Sequence, residues 1–140
     1  MELSLDPRLK EDSYMIGCFD CSVLLLMKNS LFPWFVLVPF SNETEFHKLS
    51  QELQLKILNQ INLVSRFIED NNKIDKINIG AIGNVVSQLH VHIIGRSRDD
   101  ICWPDVAWGV KEFKQYKPDQ VKQIKENLLA SFQDLLHVDE

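Results

Sequence analysis

Apolar and polar positions alternate along this chain in runs whose periods change sharply. Residues 19–27, FDCSVLLLM, read as a buried strand, followed by a turn at Lys28-Asn29-Ser30. Residues 34–39, WFVLVP, are rich in aromatic and β-branched side chains and close on Pro39, so they read as a second strand. The two runs are close enough to pair as an antiparallel hairpin. From Leu49 the period lengthens. Leu53, Ile57, Ile61, Val64 and Ile68 recur at three- and four-residue steps, which predicts a helix with one stripe against a core. Ser50 suits its N-cap, because a hydroxyl can accept from a first-turn N–H. The pattern dissolves at Glu69-Asp70-Asn71-Asn72. A third strand is expected over 76–82, KINIGAI, then a turn at Gly83-Asn84 and a fourth strand from Gln88 to Ile94. A loop carrying Trp103-Pro104, Trp108-Gly109 and Pro118 leads to a last amphipathic helix, with Val121, Ile124, Leu128, Phe132 and Leu135 on one side. Strand pairs flanking a long helix predict an α+β domain with a mostly antiparallel sheet and helices packed against one face. No repeat or linker divides the chain, and residues 1–140 are read as one domain.

Composition narrows the partners. A net charge of −5 and a pI near 5.3, with no block of Lys or Arg, argue against a nucleic-acid or membrane surface, although a small anion site remains open. The first residues, MELSLDPRLKEDSYMIG, lack the basic-then-apolar order of a signal peptide. The longest uncharged apolar stretch, Ser30 to Asn42, is too short to span a bilayer and holds two prolines. Three cysteines, Cys18, Cys21 and Cys102, cannot all pair with one another and suit a reducing compartment. A cytoplasmic protein is expected.

The chemistry concentrates in SQLHVHIIGR, residues 87–96, which holds two of the four histidines. On a strand, Gln88, His90 and His92 point one way while Leu89, Val91 and Ile93 point the other. The polar set would line an open face, with heads roughly 7 Å apart. Imidazole has an ordinary pKa of about 6.5, so both rings can serve as nucleophile, acid or base near neutrality. Three readings compete. The first is a half-exposed edge strand with incidental histidines. The second is a zinc site that adds Cys18 and Cys21, although these run into a strand without a glycine-rich knuckle. The third is a catalytic strand beside a phosphate-binding turn.

The longer segment GAIGNVVSQLHVHIIGR favours the third. It resembles the histidine-triad (HIT) superfamily of nucleotide hydrolases and transferases, matching its pattern at Gly83, Asn84, His90, Val91, His92, Ile93 and Ile94. FPWFVLVP and the long helix also fall where that family has them, so the resemblance covers about residues 19–96. Within the C-terminal part, 97–140, CWPDVAWG and the last helix resemble a bacterial HIT-like subgroup. Two departures stand out. Gln88 occupies the first triad position, where the family has His, and Asn29 is the nearest match to an Asp that binds ribose hydroxyls.

The resemblance implies that His90 attacks the α-phosphorus of a nucleotide ester, anhydride or phosphoramidate. A nucleotidyl-histidine forms and is then cleaved by water or another acceptor. A hydrogen bond from the other ring nitrogen of His90 to a backbone carbonyl would fix the attacking tautomer. His92 is the candidate for protonating the leaving group. Gln88, Asn84, Gly83 and, less directly, Asn78 are candidates for holding phosphate oxygens. No metal or other cofactor is needed, the expected partner is a nucleotide or dinucleotide substrate, and a homodimer is implied. Each helper also has a plainer role: Asn84 and Gly83 as turn residues, Gln88 as a polar cap. His47 and His137 are expected to face solvent, and Trp34, Trp103 and Trp108 to be core or interface aromatics. A nucleotide-binding module without turnover, and a His/Cys zinc domain, are the alternatives.

Overall fold

A computed structural model describes residues 3–138. It contains helix α1 (Pro7–Glu11), strands β1 (Ser13–Cys18), β2 (Ser22–Met27) and β3 (Trp34–Pro39), and a 3-10 turn over Phe46–Lys48. Helix α2 (Gln51–Asn71), β4 (Lys76–Gly80), β5 (Val91–Arg96) and α3 (Pro118–Ser131) follow. The five strands make one antiparallel sheet in the order β1-β2-β3-β5-β4. The architecture is the expected α+β one, with a long central helix and a C-terminal helix. No helix among the described residues is long and apolar enough to cross a membrane.

The hairpin of β2 and β3 forms in the register Leu25↔Val36. The Ser50 hydroxyl caps α2 by accepting from Leu53 N–H at 3.1 Å. Other boundaries differ from expectation for local reasons. The run at 19–27 loses its first residues to a tight turn, in which the Phe19 N–H donates to the Ser22 carbonyl at 2.8 Å. Strand β1 and helix α1 escape a reading by periodicity, because SYMIGC mixes polar and apolar residues and a five-residue helix is too short for a stripe. Strand β4 stops at Gly80, and β5 starts only at Val91, so Gln88 and His90 lie in the irregular segment before it. At the C-terminus Leu136, not Leu135, is buried, because α3 ends at Ser131 and the chain turns.

The sheet is covered on both faces. On one, Leu24, Leu26, Leu37, Val91 and Ile93 pack beneath Ile57, Ile61, Val64 and Ile68 of α2, with Leu128 of α3 and Phe132 just beyond it. Burying each such side chain stabilises the fold by roughly 1.5–3 kcal/mol. On the other face Val23, Leu25, Trp34, Val36 and Ile94 are covered by Leu9 of α1 and by Ala107, with Leu3, Leu5 and Trp108 packed around them. That second cover corrects the expectation of helices on one face and an open histidine face. The N-terminal segment and the loop after β5 supply it, not a second long helix.

Gly95 sets how closely α2 approaches the sheet. A Cβ built there would lie 2.6 Å from Ile68 Cγ2 and 2.7 Å from Pro33 Cγ. Gly95→Ala is therefore expected to destabilise the protein by roughly 1–3 kcal/mol through overpacking. Urea unfolding with an unchanged midpoint would show that α2 can shift to make room.

Candidate active site

The two histidines reach their positions through one pairing. Val36 of β3 lies opposite His92, and Leu37 lies opposite Val91. His92 therefore shares a face with Val36 and Trp34, and His90 follows on that face just beyond the strand end. Both rings are buried, at 6 % and 7 % exposure. Their centroids are 4.9 Å apart, with ring planes inclined at 68°.

Their hydrogen-bond partners assign opposite tautomers. His90 Nδ1 lies 2.7 Å from the Gln88 carbonyl oxygen. A carbonyl only accepts, so Nδ1 carries the hydrogen, and in the neutral ring Nε2 is the nitrogen with the lone pair. His92 Nδ1 lies 2.9 Å from Trp34 Nε1. An indole N–H only donates, so His92 Nδ1 accepts and its hydrogen sits on Nε2. Trp108 meets His92 edge-on, at a centroid distance of 5.7 Å. Burial, and then repulsion from a charged His90, lower the His92 pKa to about 4. His92 is thus a neutral hydrogen-bond donor at pH 7. The role expected of it is protonation of the leaving group.

A cavity of about 450 Å³ opens beside His90. Gly83, Asn84, Ser87 and Gln88 line one side of it, and Thr44 to His47 the other. Gly83 has φ +71°, the left-handed region that only glycine enters without strain, and Asn84 is exposed. The turn thus joins Gly83 and Asn84 to the histidine, as the sequence pattern expects. His47 is exposed as expected, but it also faces this cavity, a placement that no local pattern signals. Its segment is brought there by the return of the chain from β3 to α2. His137 is exposed and lies beside Cys18, in a backbone bridge with it.

Three expected ligand-binding side chains are engaged elsewhere. Asn78 pairs with Ile94, two positions past His92 and away from His90, and its Oδ1 accepts from Arg96 Nη1 at 3.0 Å. Asn29 follows β2 at the end of the sheet remote from His90. Its Nδ2 donates to the Glu112 carbonyl at 3.1 Å, and its Oδ1 accepts from Lys114 N–H at 3.3 Å. It ties down the segment before α3 and is not among the residues that line the cavity beside His90. Gln88 lines the cavity, but its amide accepts from Asp6 N–H at 2.7 Å and donates to the Ser4 carbonyl at 3.1 Å.

The zinc alternative fails on geometry. Cys21 packs among residues on the α2 face, whereas His92 shares the opposite face with Val36, so the ligand set cannot converge. Burial pushes the Cys21 thiol up to about 11, which disfavours the thiolate a metal needs. No group of three or more His, Cys, Asp or Glu among the described residues is placed to hold a metal ion.

The tryptophans are packing residues, as expected. Trp34 is buried, Trp108 leans on the same cluster, and Trp103 stacks at 5.8 Å from the Arg96 guanidinium. Arg96 is only 2 % exposed. Its Nε and Nη2 donate to the two oxygens of Asp100 at 2.7 and 3.0 Å, and Nη2 also donates to the Asp105 carbonyl at 2.8 Å. The pair holds the loop that delivers Trp108 to His92. It was not singled out from sequence, where Arg-Asp at this spacing is unremarked surface composition.

Known proteins share this fold. The family model described as HIT domain matches residues 8–99. A histidine triad protein from Bradyrhizobium japonicum is 38% identical, with a TM-score of 0.87 over 91% of this chain and 96% of that one. A histidine triad protein from Marinobacter aquaeolei is 32% identical, with a TM-score of 0.88 over 94% and 97% of the two chains. One from Sinorhizobium meliloti is 32% identical, with a TM-score of 0.87 over 91% and 96%. No curated protein matches the sequence.

The lowered His92 pKa makes a stability prediction. Between pH ~6.5 and about 4 the unfolded chain binds a proton that the folded chain refuses. The contribution is whole above ~6.5, declines as pH falls, and is lost below about 4, a difference of about 3 kcal/mol. Denaturant unfolding at pH 7 and pH 4 should show a drop about that much smaller in His92→Gln than in the parent. Equal drops in the two proteins would place the ring in a more hydrated setting.

Proposed function

Because the chain belongs to the HIT-domain family, we propose that it is a nucleotide hydrolase or nucleotidyl transferase that works through His90. The observation that carries the reading is the 2.7 Å bond from His90 Nδ1–H to the Gln88 carbonyl. In the neutral ring it leaves Nε2 as the nucleophilic nitrogen, on a ring that lines a cavity of nucleotide size. Nε2 attacks the α-phosphorus, a P–N bond forms, and the bond to the leaving oxygen or nitrogen breaks with its electron pair. Water then attacks phosphorus and gives up a proton to solvent, the P–N bond breaks with its electron pair returning to Nε2, and the nucleoside monophosphate leaves with the imidazole restored.

The Gly83-Asn84 backbone amides and the Asn84 side chain hold the non-bridging oxygens as charge develops. His92, neutral at pH 7, serves as a fixed Nε2–H donor beside the nucleophile. The leaving-group proton then comes from water or from His47, the other imidazole lining the cavity. Association into a homodimer along the free edge of β4, where Ile79 is exposed, belongs to the same proposal, as does a cytoplasmic setting.

Intact mass after brief exposure to nucleotidyl esters, phosphoramidates and dinucleoside polyphosphates, quenched at alkaline pH, tests the chemistry. An added nucleoside monophosphate is expected on the parent and none on His90→Ala. His47→Gln should slow adduct formation about 10²-fold or more for basic leaving groups and little for acidic ones. Binding of the same compounds by calorimetry without adduct or product would leave a nucleotide-binding module in place of an enzyme. Sedimentation at micromolar concentration should return a dimer, and a 16.3 kDa species would remove the edge association.

A further inference from the structure

The segment before β1 is anchored to the residue whose carbonyl orients His90. Gln88 Oε1 accepts from Asp6 N–H at 2.7 Å, and Gln88 Nε2 donates to the Ser4 carbonyl at 3.1 Å. One planar amide thus meets an acceptor and a donor two residues apart, as a backbone peptide of a neighbouring strand would. The anchored segment is itself fixed. Asp6 caps α1 by accepting from Arg8 N–H at 2.9 Å, Leu9 is buried, and Leu3 and Leu5 pack on the cluster around Trp34 and Val36.

Residues 81–90 belong to no strand or helix, so no ladder fixes the direction of the Gln88 carbonyl. That carbonyl is nevertheless the partner that gives His90 its tautomer. We propose that Gln88 is a positioning residue that couples the Ser4–Asp6 strap, which lies outside the cavity, to His90 and so holds the nucleophile's orientation. This rests on the reading of His90 as nucleophile. It also gives the first triad position a task that histidine cannot perform. An imidazole carries its two nitrogens at separate ring positions, whereas the strap needs a donor and an acceptor side by side on one carbon. Gln88 is then a replacement with its own function, and restoring the family residue impairs the site.

Three variants test it: Gln88→Glu, which keeps the acceptor but loses the donor to Ser4, Gln88→His, and Leu5→Glu, which lifts the strap without touching residue 88 or 90. Nitrogen-15 shifts of the His90 ring in the ligand-free protein report the tautomer, and hydrogen exchange at Asp6 N–H reports the strap. In the parent the Nδ1–H form should dominate and the Asp6 amide should be protected. In all three variants the ring should average between tautomers, and in Gln88→His and Leu5→Glu Asp6 should exchange at least ~10-fold faster, as an exposed amide does. Adduct formation should slow by roughly 10²-fold, the order expected of a displaced reacting group.

Unchanged His90 shifts in Gln88→Glu and Leu5→Glu, or faster adduct formation in Gln88→His, would overturn the coupling. Should Leu5→Glu fail to fold, the near-isosteric Gln88→Glu decides the matter. The spectroscopic arms need no turnover. A parent that forms no adduct refutes the enzyme reading, while the coupling is still decided by the His90 shifts.

Discussion

The register between β3 and β5 is the constraint on which the rest depends. That pairing joins the β1-β2-β3 meander to the β4-β5 pair, and its alignment of Val36 with His92 selects what each side chain meets. In the observed alignment Val91 and Ile93 lie under α2, while His92 faces Trp34 and His90 emerges beside the cavity. A slip of one residue would drive both imidazoles into the apolar layer beneath the long helix. It would also expose two β-branched side chains on the other face. Burial of Val91 and Ile93 therefore places the histidines as firmly as any contact that the histidines make themselves.

Once placed, the pair is differentiated by its surroundings. Trp34 offers only a donor and the Gln88 carbonyl only an acceptor, so two identical side chains hold their hydrogens on opposite nitrogens. The covering loop reinforces the difference. Arg96, bonded to Asp100 and Asn78 and stacked between Phe32 and Trp103, secures the segment that carries Ala107 and Trp108 over the sheet. A buried guanidinium is costly unless paired, and here nearly all of its donors find oxygen. The desolvation that Trp34 and Trp108 impose on His92 keeps it neutral, leaving His90 as the ring beside the cavity with a free lone pair.

The face opposite α2 is thus closed by the two outer parts of the chain, not by a long helix. The N-terminal segment reaches it through Leu5, Leu9 and the Gln88 amide, and the loop after β5 through Arg96. Neither cover blocks the cavity, which opens between the turn at Gly83 and the segment Thr44 to His47. The cavity and the packing behind the histidines are therefore built from different surfaces. The pocket wall comes from two irregular connections, and the support behind the imidazoles from the chain's outer segments.

What the sequence determined by itself is what short-range physics encodes. The α2 stripe from Leu53 to Ile68, its Ser50 cap, the WFVLVP strand and the Gly83 turn all follow from periodicity and backbone preference within a few residues. The spacing of His90 and His92 likewise placed them on one face, and the motif around them named the family. Tertiary structure decided the rest. Asn29 and Asn78 look like free polar side chains in sequence, but each amide is taken by a residue far along the chain, Glu112 and Arg96 respectively. His47 joins the cavity only because the chain folds back after β3, and Gln88 meets Ser4 and Asp6 across more than eighty residues. A sequence pattern reports which groups a residue can offer and which face it presents. Which partner takes up the offer depends on contacts between distant segments, and those exist only once the sheet has closed.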